Sequence, residues 1–86
     1  MDASLKPLVD LAIADLARRL NVDGASITVV EVRPMVWPDG ALGCPKPGMA
    51  YPQVRQEGSL IRLTTRGQEY AYHSGGSRPP FLCQGS

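Results

Sequence analysis

The sequence predicts an α+β domain in which one N-terminal helix packs on a sheet of four or so antiparallel strands. Three observations carry that expectation. Apolar residues recur at helical spacing over residues 5–20, β-branched and alternating runs follow from residue 27, and an Arg66-Gly67 pair separates two strand-like arms. A run of strands after a single helix is the pattern of an α+β fold rather than of an alternating parallel sheet. With 86 residues, the whole of 1–86 is expected to form one domain, because there is no room for a second core. A chain of this size buries only about 60–65% of its unfolded surface, so its stability is marginal without a cross-link.

The helix comes first. Ser4 is the expected N-cap, and Pro7 is tolerated in the first turn, where its missing N–H has no partner to lose. Leu5, Val9, Ala12, Ile13, Leu16 and Leu20 share one face of a helical wheel. Asp10, Ala14, Asp15 and Arg18 lie opposite, with Asp15 and Arg19 spaced to pair at i,i+4. Leu11 falls on this outer face and is expected to be exposed. Stop and turn signals then occupy residues 21–24.

Residues 27–32 (Ile-Thr-Val-Val-Glu-Val) form a β-branched run and read as a strand. Which of its faces is buried is left open. Pro34 is expected to end or bulge its ladder, with the strand resuming through Val36. Tyr51 to Val54 reads as a short strand, at an edge because of Pro52. Residues 59–65 and 68–73 are the arms of a hairpin about Arg66-Gly67. Residues 75–80 read as a loop, after which Phe81, Leu82 and Cys83 return to the sheet. Tyr70 and Tyr72 fall on one strand face and read as core or cross-strand packing before they read as a ligand platform.

Between the first strand and the hairpin lies Trp37-Pro38-Asp39-Gly40-Ala41-Leu42-Gly43-Cys44-Pro45-Lys46-Pro47-Gly48. Three prolines and three glycines exclude a helix or central strand here. The Trp, Leu and Cys residues make it a structured loop rather than a linker, and structured loops often carry function. One reading is a rigid connection whose Trp37, Leu42 and Met49 tuck onto the sheet. The other is a pre-organised recognition loop, in which prolines and a nearby cross-link reduce the entropy lost on binding. On that reading the binding residues are Trp37, Asp39, Leu42, Lys46, Pro47 and Met49. Lys46 before Pro47 is a poor bond for a trypsin-like protease to cut.

The two cysteines are compatible with a disulfide, two buried thiols or part of a metal site. A Cys44–Cys83 bond is expected, on small size and cysteine count. It would close a loop of about 40 residues and contribute about 4 kcal/mol in the chain-entropy model. A disulfide implies a secreted or cell-envelope protein, and reduced cysteines a cytoplasmic one. Residues 1–20 lack a signal-peptide pattern, because Asp2, Asp10 and Asp15 interrupt the apolar positions, so a secreted form is expected to have had its leader removed.

Several chemistries are disfavoured. A net charge of +1 gives no electrostatic footing for nucleic acid or an anionic membrane. The longest apolar run falls far short of the roughly 20 residues that cross a bilayer. No phosphate-binding glycine pattern occurs. A nucleophilic site would need Cys44 near His73 with Asp39 orienting the imidazole, and a metal site would recruit Cys44, Cys83 and His73 without CxxC or HxxxH spacing. His73 reads more simply as a partly exposed strand-end residue with a local hydrogen bond. No catalytic residue, metal or cofactor is expected, and the chain is expected to be a monomer with a protein partner, a protease being one candidate. The alternatives kept open are a small Cys/His enzyme or metal protein and a purely structural accessory domain.

The loop motif, continuing through Tyr51, Gln53-Val54, Tyr70 and Tyr72-His73 and flanked by the helix and the last cysteine, resembles a family of small bacterial domains with no activity attached. The order of helix then antiparallel strands is also similar to cystatin-type inhibitors of cysteine proteases. Residues 53–58 (Gln-Val-Arg-Gln-Glu-Gly) resemble their Gln-x-Val-x-Gly loop, with the glycine one residue late and two charges inside it. That resemblance implies an inhibitory fold without fixing function.

Overall fold

The computed structural model describes residues 5–83, and the expected N-cap Ser4 lies outside them. Helix α1 spans Lys6–Leu20, with Pro7 in its first turn and Leu5 at the cap position without a side-chain cap. Its predicted stripe is the buried face: Val9, Ala12 and Leu16 are enclosed, and Leu5, Ile13 and Leu20 are half-buried. Leu11 is exposed, as its wheel position requires. Arg18 and Arg19 in the last turn face the negative end of the helix dipole. Asn21 ends the helix in the left-handed conformation, and the N–H groups of the cap and of Val22 both reach the Ala17 carbonyl.

A single 3₁₀ turn, Gly24–Ser26, leads into strands β1 (Thr28–Trp37), β2 (Gln56–Thr65), β3 (Gln68–Gly75) and β4 (Arg78–Leu82). All pairs are antiparallel and the order is β1-β2-β3-β4, a meander. The β2–β3 hairpin turns at Arg66 and Gly67, both with φ near the left-handed region (56° and 76°). Two consecutive positive φ values match the right-handed twist of the strands, which is why Arg-Gly serves here.

The strand boundaries differ from the sequence expectation in four places. Pro34 does not end the first strand: β1 runs through it to Trp37, paired opposite Ser59, and the irregularity falls at Val30, between Val29 and Glu31. β1 is an edge strand, where a proline is tolerated. Tyr51 to Val54 forms no strand; residues 38–55 are one continuous loop, and the Pro52 carbonyl accepts from Gly40 N–H within it rather than from a ladder. β2 begins at Gln56, earlier than expected. The expected 75–80 loop contracts to a turn at Gly76 and Ser77, with Pro79 and Pro80 inside the outer strand β4, again an edge position.

Strand alternation divides the sheet into two faces. Ile61, Leu63 and Tyr72 project to the helix and form the main core with Val9, Ala12, Leu16 and Ile27. The Tyr72 hydroxyl donates to Asp15 Oδ2 at 2.7 Å, and Asp15 also receives Arg18 and Arg19. Burial first, and then the adjacent Asp15 carboxylate, push the Tyr72 phenol well above its usual range. Ser59 and Ser74 lie directly opposite one another and share a buried hydroxyl–hydroxyl hydrogen bond. The other face carries Arg62 between Glu31 and Glu69, a solvated ion network with Arg33 at its margin.

Candidate functional site

The second face of the sheet is where the long loop sits. Tyr72 points to the helix, so the next residue, His73, points away from it. The Trp37 ring stacks on His73 with centroids 4.7 Å apart and planes 7° from parallel. Trp37 Nε1–H donates to the Ser74 carbonyl at 2.8 Å. His73 Nδ1 lies 2.7 Å from the Leu42 carbonyl; a carbonyl only accepts, so this ring nitrogen carries the proton and donates. The Phe81 ring is tilted against the imidazole with centroids 6.2 Å apart, and the Arg78 guanidinium lies 3.8 Å over the Phe81 ring.

His73 is therefore buried, at 8% exposure, and not the partly exposed strand-end residue expected. Its cover arrives from Trp37 and Leu42, far away in sequence, and a local reading of β3 contains no sign of them. Trp37, Ala41 and Leu42 are buried with it, making a small second core opposite the helix.

The loop reaches this position through consecutive turns. Asp39 Oδ1 accepts from Ala41 N–H, and the Asp39 and Ala41 carbonyls accept from Leu42 and Cys44. Leu42 and Gly43 both take positive φ, 56° and 77°. The strained Leu42 backbone is held because its side chain is enclosed. At Gly43 a Cβ would stand 2.3 Å from the Trp37 ring, so only glycine fits beneath it. Cys44 is bonded to Cys83, with Cα atoms 5.9 Å apart, so the loop is covalently tied to the end of β4. That is the pairing expected from the sequence.

Beyond the disulfide the chain turns outward. Pro45, Lys46, Pro47, Gly48, Met49 and Ala50 are exposed, as are Pro52, Gln53, Val54 and Arg55. The outer part is nonetheless tied internally: Met49 N–H donates to the Lys46 carbonyl, and Lys46 N–H donates to the Tyr51 hydroxyl at 3.0 Å. Of the predicted binding residues, Trp37 and Leu42 are buried, Asp39 is partly buried and engaged in its turn, and Lys46, Pro47 and Met49 are at the surface. Met49, expected to tuck onto the sheet, is 61% exposed, the highest among the large exposed apolar side chains of the described residues, with Val54 next at 59%.

The family comparison covers this whole arrangement. A family model described as a domain of unknown function (DUF8738) matches residues 9–83. The chain belongs to the DUF8738 family. The matched span holds nearly all of α1, the loop, the four strands and both cysteines, so the disulfide-rooted loop lies wholly inside the DUF8738 domain. No curated protein and no solved structure matches the chain.

Other chemistry is thin among the described residues of this DUF8738 domain. Cys44 and Cys83 are both consumed by the disulfide. Asp39 bonds Ala41 and His73 bonds Leu42, so the two do not form the orienting pair a nucleophilic triad would use. No group of three or more His, Cys, Asp or Glu is placed to hold a metal among the described residues. An open cleft of about 440 Å³ lies on the helix side, between Leu5 and Leu8 of the helix start and Glu57, Ser74 and Pro79 of the sheet.

Proposed function

We propose that this domain is a non-catalytic protein-binding module that engages its partner through the outer part of the 38–55 loop. The observation that carries the reading is the division of that loop. Its root is buried, stacked and cross-linked, while its tip holds Met49 and Val54 in water. Large apolar side chains on an internally hydrogen-bonded surface loop are well suited to contact, because little conformational freedom remains to be lost on binding. The disulfide also leaves neither sulfur as a thiolate, which disfavours the Cys/His enzyme alternative. A disulfide-bonded form suits an oxidising compartment, so secretion or the cell envelope is the proposed location.

A protease is the proposed partner class, by analogy with the stiff loops of protein inhibitors. The cystatin-like order of helix and antiparallel strands supports that analogy at the level of architecture. The wedge residues are divided, however: Gln53 and Val54 lie in the loop, and Gly58 lies in β2 opposite Met35 and Gly75. A cystatin-type wedge is therefore not the proposed contact; Lys46, Met49 and Val54 are.

The test compares the native chain with a Met49→Ser/Val54→Ser variant. Both are assayed against serine, cysteine and metalloproteases at micromolar concentration, and both are used as bait in extracts of the source cells. The module reading expects a partner held by the native chain and lost from the equally folded variant. Partners retained unchanged by the variant would overturn the loop assignment, and the absence of inhibition across the panel would remove the protease version.

A further inference from the structure

The charge of the loop says what kind of partner it fits. Residues 40–56 contain Lys46 and Arg55 and no Asp or Glu; the flanking acids are Asp39 and Glu57. Asp39 is already turned inward to the Ala41 N–H. Elsewhere five of the seven cations are paired: Lys6 with Asp10, Arg18 and Arg19 with Asp15, Arg33 with Glu31, and Arg62 with Glu31 and Glu69, while Arg66 lies in the hairpin turn and Arg78 over the Phe81 ring. Lys46 and Arg55 pair with no carboxylate among the described residues. The same loop therefore holds two uncompensated cations and the two most exposed large apolar side chains of the described surface.

Building on the module reading, we propose that the loop recognises an acidic polypeptide segment in which carboxylates flank a large apolar residue. The cations steer and orient the segment, and Met49 and Val54 receive its apolar side chain. Methionine suits this role because its unbranched thioether adapts to the shape of what it meets. The backbone adds fixity: Pro45 and Pro47 bracket Lys46, whose N–H and C=O are both engaged within the loop. Opposite charges across such a contact raise the association rate and select the partner more than they deepen the complex.

The experiment displays a random linear peptide library to the disulfide-intact chain and measures the recovered peptides by surface plasmon resonance. Enriched peptides should carry Asp or Glu beside a Leu, Ile, Phe or Met. Their binding should fall about tenfold or more in Lys46→Glu/Arg55→Glu, and by a similar factor when salt rises from about 50 to 500 mM, because exposed charges are screened. These side chains are exposed, so urea midpoints of the variant and native chain should coincide, confirming that the fold is intact. Recovery of no peptide, peptides without acidic bias, or affinity indifferent to the reversed charges would overturn the proposal. Stronger binding to phosphatidylserine vesicles than to any acidic peptide would overturn it in favour of a membrane surface. A cellular partner lost from Met49→Ser/Val54→Ser yet insensitive to salt and to the reversed charges would leave the module reading standing and remove this one alone.

Discussion

Truncating Trp37 to alanine tests the second core directly. The ring is 6% exposed, stacks on His73, closes over Gly43 and donates to the Ser74 carbonyl. A tryptophan buries about 150–250 Å² of surface, worth roughly 4–6 kcal/mol at about 25 cal/mol per Å². Partial collapse of the loop recovers some of that, so the expected loss is about 3–5 kcal/mol. A domain of this length has a total stability of roughly 4–13 kcal/mol, so the substitution removes a large fraction of it. Urea unfolding followed by far-ultraviolet circular dichroism reads the effect, since the variant lacks the sole tryptophan fluorophore. With a slope of about 1–1.5 kcal/mol per M, the midpoint should fall by roughly 2–5 M. Trp37→Phe should lose less, about 1–2 kcal/mol, because it retains a stacking ring and gives up the N–H donor. A Trp37→Ala protein within about 1 kcal/mol of the native chain would refute the second core.

Three further expectations follow from the geometry. Reducing the Cys44–Cys83 bond should add two hydrogens, a gain of about 2 Da in intact mass, and cost about 4 kcal/mol; hydrogen exchange should then show β4 opening before β2 and β3, and unchanged protection of β4 would contradict its dependence on the bond. Asp15 is opposed by partial burial but held below its usual value by Tyr72, Arg19 and Arg18, so its contribution is complete above the unfolded value of about 3.9 and is lost as pH falls through the lower folded value. Native stability should therefore decline more steeply below about pH 4 than that of Asp15→Asn, and parallel acid-unfolding curves would count against the Asp15–Tyr72–Arg19 cluster. Gly43→Ala, which combines a positive φ with a Cβ 2.3 Å from the Trp37 ring, should lower the urea midpoint by an amount equivalent to at least about 1–2 kcal/mol, and a neutral result would mean the ring is not closed over Gly43.

The sequence is legible where a pattern repeats locally. The 3.6-residue period identified the helix and its buried face, since Val9, Ala12 and Leu16 each contribute to one stripe. Arg66-Gly67 marked the hairpin because few other pairs accept two positive φ values in succession. Cys44 and Cys83 offered each other the only possible intrachain disulfide. Legibility fails where tertiary position overrides local preference. Pro34 reads as a strand break but stands on an edge, where its missing donor costs little. Tyr51 to Val54 has strand-like composition, yet Pro52 is drawn to Gly40 across the loop. His73 looked like a surface residue because Trp37, which covers it, lies on another strand. Within the loop, composition marked Trp37, Leu42 and Met49 alike as apolar anchors; only the turns at Asp39 and Ala41, followed by the disulfide at Cys44, decide that the first two go inward and Met49 goes out.

If the proposed function holds, that division makes the structural and the recognition readings of the loop parts of one device rather than rivals. A tip contributes affinity only insofar as it is held in its bound shape before the partner arrives. On the proposed reading the holding is done by residues set back from the contact: Trp37 on His73, Leu42 beneath the turn, and Cys44 bonded to Cys83 beyond β4. A purely connecting loop would need that root; the exposed Met49 and Val54 are what the recognition reading adds to it. A flexible binding loop would need the tip but not a stacked tryptophan and a cross-link at its base. Loosening the root should therefore weaken recognition without removing a contact. Trp37→Phe, which remains folded on the ledger above, should bind a tip-dependent partner more weakly through faster dissociation or a larger ordering entropy. If Trp37→Phe binds as the native chain does while Met49→Ser/Val54→Ser does not, the root serves the fold alone and the tip recognises its partner without pre-organisation.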